Sequence, residues 1–76
     1  MNEEKIIRTI YNIWLNNESR YLKFGDLRAE ADNEVNELSD EELREFVNDN
    51  LHTPEFYNLR ASKNRISCSI ADYKRL

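Results

Sequence analysis

The chain is poor in the residues that special chemistry needs. It has one glycine, Gly25, and one proline, Pro54, which excludes a glycine-rich phosphate loop and leaves no composition for a flexible linker. One cysteine, Cys68, can neither close an internal disulfide nor pair with a second thiolate on a metal, so stability has to come from packing. That usage fits a reducing compartment. No apolar run approaches the roughly 20 residues that cross a bilayer. The start, Met-Asn-Glu-Glu, lacks the basic region and apolar stretch of a secretory signal. These absences predict a soluble, cytoplasmic protein without membrane contact.

What is present fits a single domain. Seventy-six residues are near the lower limit of independently folding domains and too few for a deep catalytic cleft, so no enzyme is expected. The large apolar residues are spread from Ile6 to Leu76 and can all contribute to one modest core. This sets the chain apart from disordered acidic polypeptides. No repeat or composition break marks a second domain.

Periodicity predicts the elements. Ile6, Ile10, Ile13 and Trp14 form one helical stripe from Glu3 to about Asn16, widened by Ile7, Tyr11 and Leu15, with Asn2 as N-cap. Leu22 and Phe24 alternate with Tyr21 and Lys23 in a candidate short strand. Phe24, Leu27 and Ala31 suggest a second helix to about Asp32. Ser39 and Glu42 form a capping box, flanked by Leu38 and Leu43 at the staple positions, and Leu43, Phe46, Val47 and Leu51 continue a third helix that Pro54 ends. The period then changes to two. Tyr57, Leu59 and Ala61 predict one strand and Ile66, Cys68 and Ile70 another, joined through the polar turn Ser62-Lys63-Asn64-Arg65. The fold class is therefore α+β: three helices followed by a C-terminal β-hairpin.

This order of elements is that of a winged-helix domain, with residues 57 to 70 as the wing. More specifically, the stretches Ile6-Ile7-Arg8-Thr9-Ile10, Leu22-Lys23-Phe24-Gly25-Asp26-Leu27, Leu43-Arg44-Glu45-Phe46-Val47 and Ile66-Ser67-Cys68-Ser69-Ile70 resemble modules of the LOTUS or OST-HTH type. The likeness spans about 65 residues and consists mainly of apolar spacing. It implies binding of RNA, DNA or a protein partner rather than catalysis.

Charge is unevenly placed. Residues 1 to 50 hold thirteen acids and six bases, whereas residues 51 to 76 hold two acids and five bases, within a net charge of −4. Asp40, Glu41, Glu42, Glu45 and Asp49 lie on the third helix, which a helix-turn-helix protein would insert into a DNA major groove. Phosphate repels such a surface, so groove insertion is disfavoured. These acids are either a solvated helix face or a docking surface for a basic partner protein. The hairpin side offers Arg60, Lys63 and Arg65, with Lys74 and Arg75 beyond. These five cations are either a solubilising edge or a contact for nucleic acid. Arg8, Arg20, Lys23 and Arg28 are available to extend the patch, and Tyr57 or Tyr73 is a candidate for stacking on a base. His52 has no motif linking it to Cys68, and Cys68 alternates with inward positions as a small hydrophobe. No calcium-loop spacing is present, and no cofactor or metal is expected. The broad apolar face of the first helix also suggests a homodimer. Two readings lead: a regulatory or accessory factor that contacts nucleic acid through its wing, and an acidic interaction module or inhibitor, phage-type or accessory, that docks on a basic protein.

Overall fold

The fold was read from a computed structural model that describes residues 2–76. Helix α1 spans Glu3–Asn16, as its apolar stripe predicts. The Asn2 side chain accepts the Lys5 amide at 3.1 Å, and Glu3 and Glu4 occupy the first turn, where the helix dipole favours acids. Ile6, Ile10 and Trp14 are buried, while Ile7, Tyr11, Ile13 and Leu15 are half-buried against the same core. None of these seven is among the exposed large apolar residues. The face that suggested a homodimer thus packs against its own chain, fully at Ile6, Ile10 and Trp14 and partly at the other four.

Strand β1, Tyr21–Lys23, leads directly into helix α2, Phe24–Glu30. A one-turn helix α3, Asn33–Asn36, follows. It has no periodic signal, because Val35 alone among its residues turns inward. Helix α4, Asp40–Asn50, begins on the expected capping box: the Ser39 hydroxyl accepts the Glu42 amide at 3.1 Å and the Glu42 carboxylate accepts the Ser39 amide at 2.9 Å.

The C-terminal third departs from strict alternation. Pro54–Phe56 form a 3-10 turn, after which Tyr57 and Asn58 take left-handed backbone with φ of 57° and 50°. A strand cannot run through such a pair, so β2 covers only Arg60–Ser62. Leu59 still reaches the core. Strand β3, Arg65–Ser67, likewise ends early: the Ser69 hydroxyl accepts the Asp72 amide at 3.0 Å and starts a one-turn helix α5, Ile70–Tyr73. Ile70, expected to face inward, is 57% exposed, whereas Cys68 is buried. The hairpin turns on Lys63, which adopts φ 57° in the role glycine would fill.

The three strands form an antiparallel sheet in the order β1-β3-β2. Leu22 stands opposite Ile66, and Ile66 opposite Ala61, and all three are buried. Residues 21–23 therefore pair with the hairpin, a question the sequence leaves open. An asparagine side chain bonds to each outer strand. Asn48 of α4 donates to the Ala61 carbonyl at 3.1 Å and accepts the Ala61 amide at 2.8 Å, and Asn17 donates to the Tyr21 carbonyl at 2.6 Å. On β2 the outward amide and carbonyl of Ala61, which would template pairing with another chain, are thereby satisfied. Each fully buried Leu, Ile or Phe contributes about 1.5–3 kcal/mol, and Trp14 anchors the centre with its indole donating to the Arg20 carbonyl at 3.3 Å.

Candidate functional site

With Leu22, Ile66 and Ala61 turned inward, strand alternation turns Tyr21, Lys23, Arg60, Ser62, Arg65 and Ser67 toward solvent on the opposite face. The register orders them in two rows across the strands, Tyr21–Ser67–Arg60 and Lys23–Arg65–Ser62. No acid occurs among the six. At the hairpin tip, Arg44 of α4 donates to the Lys63 carbonyl at 2.7 Å, so the one base of the acidic stretch is directed to the basic side.

The ion pairs reinforce the separation. Lys5 pairs with Asp32 and Glu34, Arg8 with Glu55, Arg28 with Asp40 and Arg75 with Asp72. Among the described residues, Arg20, Lys23, Arg44, Arg60, Lys63, Arg65 and Lys74 lie within 4 Å of no carboxylate. Of the four cations that could extend the hairpin patch, Arg20 and Lys23 join it, while Arg8 and Arg28 are held elsewhere by acids.

Arg75 serves the fold instead. Its guanidinium donates to the Pro54 carbonyl at 2.7 Å and to Asp72 at 3.4 Å, and it lies 4.6 Å from the Tyr57 ring centre. Lys74 is exposed beyond α5, outside the strand rows. Tyr57 and Tyr73 are likewise used internally. Tyr57 stacks on Tyr11 at 6.3 Å, and Tyr73 meets Trp14 edge-on at the same separation.

The exposed aromatic is Tyr21, 43% accessible. The Arg20 and Arg65 guanidinium carbons lie 4.6 and 5.2 Å from its ring centre. Arg20 is itself held in place, donating to the Cys68 carbonyl at 3.1 Å and to the Tyr21 hydroxyl at 2.6 Å. Sequence reasoning overlooked Tyr21 as a contact residue, although the alternation that sends Leu22 inward also sends Tyr21 outward.

Beside Arg60 lies a polar groove of about 300 Å³ lined by His52, Asn58, Arg60, Ser69 and Asp72. His52 Nδ1 is 3.0 Å from the Asn58 carbonyl and Nε2 is 3.2 Å from the Arg60 guanidinium. A carbonyl can only accept and a guanidinium only donate, so the two contacts suit the tautomer that carries its proton on Nδ1. The Ser69 hydroxyl and the Asn58 amide hold the Asp72 carboxyl below its usual range. Burial raises the Cys68 thiol, which disfavours the reactive thiolate. Among the described residues, no group of three or more His, Cys, Asp or Glu side chains could hold a metal ion. Nor is any helix among them long and apolar enough to cross a membrane.

The acidic side is less uniform than its composition. Asp40 is bound by Arg28 at 2.9 Å, and the Ser39 amide lowers the Glu42 carboxyl. Glu41, Glu45 and Asp49 have no cation within 4 Å among the described residues. Glu42, Glu45 and Asp49 rim a shallow groove of about 260 Å³ together with Leu38, Phe46 and Asn50. No family model matches the chain, and no curated protein or solved structure is significantly similar to it.

Proposed function

We propose that this chain is a winged-helix-like binding module without catalytic activity, a cytoplasmic regulatory or accessory factor that contacts nucleic acid through its basic hairpin and the outer face of its sheet. One observation carries the reading: Lys23, Arg60, Lys63 and Arg65 project from adjoining strands and their turn, and none has an acid to neutralise it. Cations without internal partners remain free to replace the counterions of a phosphate backbone. The acids of α4 argue against insertion of that helix into a duplex groove.

The test is a titration of labelled oligonucleotides by fluorescence anisotropy at about 50 and 200 mM salt. Replacing Arg60, Lys63 and Arg65 together by Glu is expected to weaken binding about 100-fold or more at low salt and to leave the amide NMR spectrum folded. Unchanged affinity would rule the reading out.

The free carboxylates of Glu41, Glu45 and Asp49 beside the Leu38–Phe46 groove favour a second reading, docking on a basic partner protein. In that case the hairpin reversal is silent, and reversal of those three acids abolishes binding of a lysine-rich peptide.

A further inference from the structure

We infer that the outer sheet face is a stacking platform for unpaired bases, centred on Tyr21, so that its ligand is single-stranded nucleic acid rather than a duplex; this rests on the nucleic-acid reading above. Phosphate attraction alone does not distinguish the two, because both carry the same backbone. Tyr21 does. It is an exposed aromatic ring on the same row as Arg60 and diagonal to Arg65, and the Arg20 and Arg65 guanidinium groups lie over it, so that ring and guanidinium planes together form the stacking surface. Bases splayed out of a helix stack on aromatic rings and on guanidinium planes, whereas paired bases within a duplex present no free face.

The platform is built before any ligand arrives. The Cys68 carbonyl and the Tyr21 hydroxyl fix the Arg20 guanidinium, and Asn17 holds the Tyr21 carbonyl, so little side-chain freedom remains to be lost on binding. Lys23 and Arg65 occupy the neighbouring row and Arg60 the far strand, giving a strand laid across the sheet cations along its path beyond the stacked base. The unpaired acids of α4 add a penalty for a duplex presented in the helix-turn-helix manner.

Anisotropy titrations should compare a mixed-sequence single-stranded oligonucleotide with its own duplex, using the wild type, Tyr21→Ala, Tyr21→Phe and the Arg60, Lys63 and Arg65 reversal. The single strand should bind about tenfold more tightly than the duplex. Tyr21→Ala should weaken single-strand binding about tenfold with little change in salt dependence, and Tyr21→Phe, which keeps the ring, should stay within about threefold of wild type. Two results would overturn the platform while leaving the nucleic-acid reading in place: Tyr21→Ala binding like wild type while the charge reversal abolishes binding, or equal affinity for strand and duplex. A poly-glutamate peptide that binds as tightly as the oligonucleotide would overturn it as well. If the wild type binds neither oligonucleotide, both readings fall.

Discussion

Of the nine acids between residues 30 and 49, four are engaged within the chain: Asp32 and Glu34 by Lys5, Asp40 by Arg28, and Glu42 by the Ser39 amide. Lys23, Arg60 and Arg65 on the outer sheet face, by contrast, have no carboxylate within 4 Å among the described residues. Much of the negative charge thus secures helix ends and joins between helices, while the positive charge of the sheet is left to solvent. Net charge, at −4, points toward a basic partner. Distribution adds what the net charge hides, because among the described residues the outer sheet face carries unpartnered cations and no acid, while Glu41, Glu45 and Asp49 stand unpartnered on α4.

The largest effect on this contrast should come from Asn48, which ties the acidic helix to the basic sheet. Asn48→Ala leaves the Ala61 amide and carbonyl unpaired and should cost about 2 kcal/mol, lowering the melting temperature by about 10 °C in calorimetry. A change under about 2 °C would mean that water replaces the asparagine fully.

Ser39→Ala should cost about 1 kcal/mol by removing the cap of α4, visible as a shift of the urea midpoint. The acids that serve the fold also set its response to pH. Because the Glu42 carboxyl is held below 4.5 by the Ser39 amide, its contribution is present above that pH and is lost as the pH falls through its folded value. Asp72 behaves in the same sense through Ser69. Glu42→Gln should therefore flatten the decline of stability between about pH 5 and 3, as followed by circular dichroism.

The smallest effect sharpens the comparison from the acidic side. Changing Glu41, Glu45 and Asp49 together to Lys should cost no more than about 1 kcal/mol, the loss of the Glu41 charge from the first turn of α4, since none of the three has a cation partner among the described residues. Oligonucleotide binding should tighten only a few-fold through the longer-range field. A tightening as large as the loss from the hairpin reversal would place the contact on α4 instead.

Where apolar periodicity coincides with a cap, the sequence was legible to the residue, as at α1 with Asn2 and α4 with Ser39 and Glu42. The hairpin was legible only at its centre. Leu59 and Ala61 both point inward, but Leu59 arrives there from a left-handed turn, and spacing alone cannot distinguish that route from a strand. Alternation through Ile66 and Cys68 misled at Ile70, although Ser69 and Asp72 carry the same Ser-x-x-acid pattern that marks α4. Of the candidate cations, Arg60, Lys63 and Arg65 lie together, whereas Arg75 belongs to an internal clamp. Tyr21, Arg20 and Lys23 belong beside the hairpin because of a strand pairing that spans most of the chain, which local pattern cannot reveal.

That pairing also bears on when the protein becomes competent. The register joining Tyr21 to Ser67 closes a loop around α2, α3 and α4, and contacts between residues so distant in the chain form late and slowly compared with a helix turn. The cations of the outer face therefore share one surface only in the folded chain, since Lys23 is brought beside Arg65 and Arg60 by a pairing that no local segment can make.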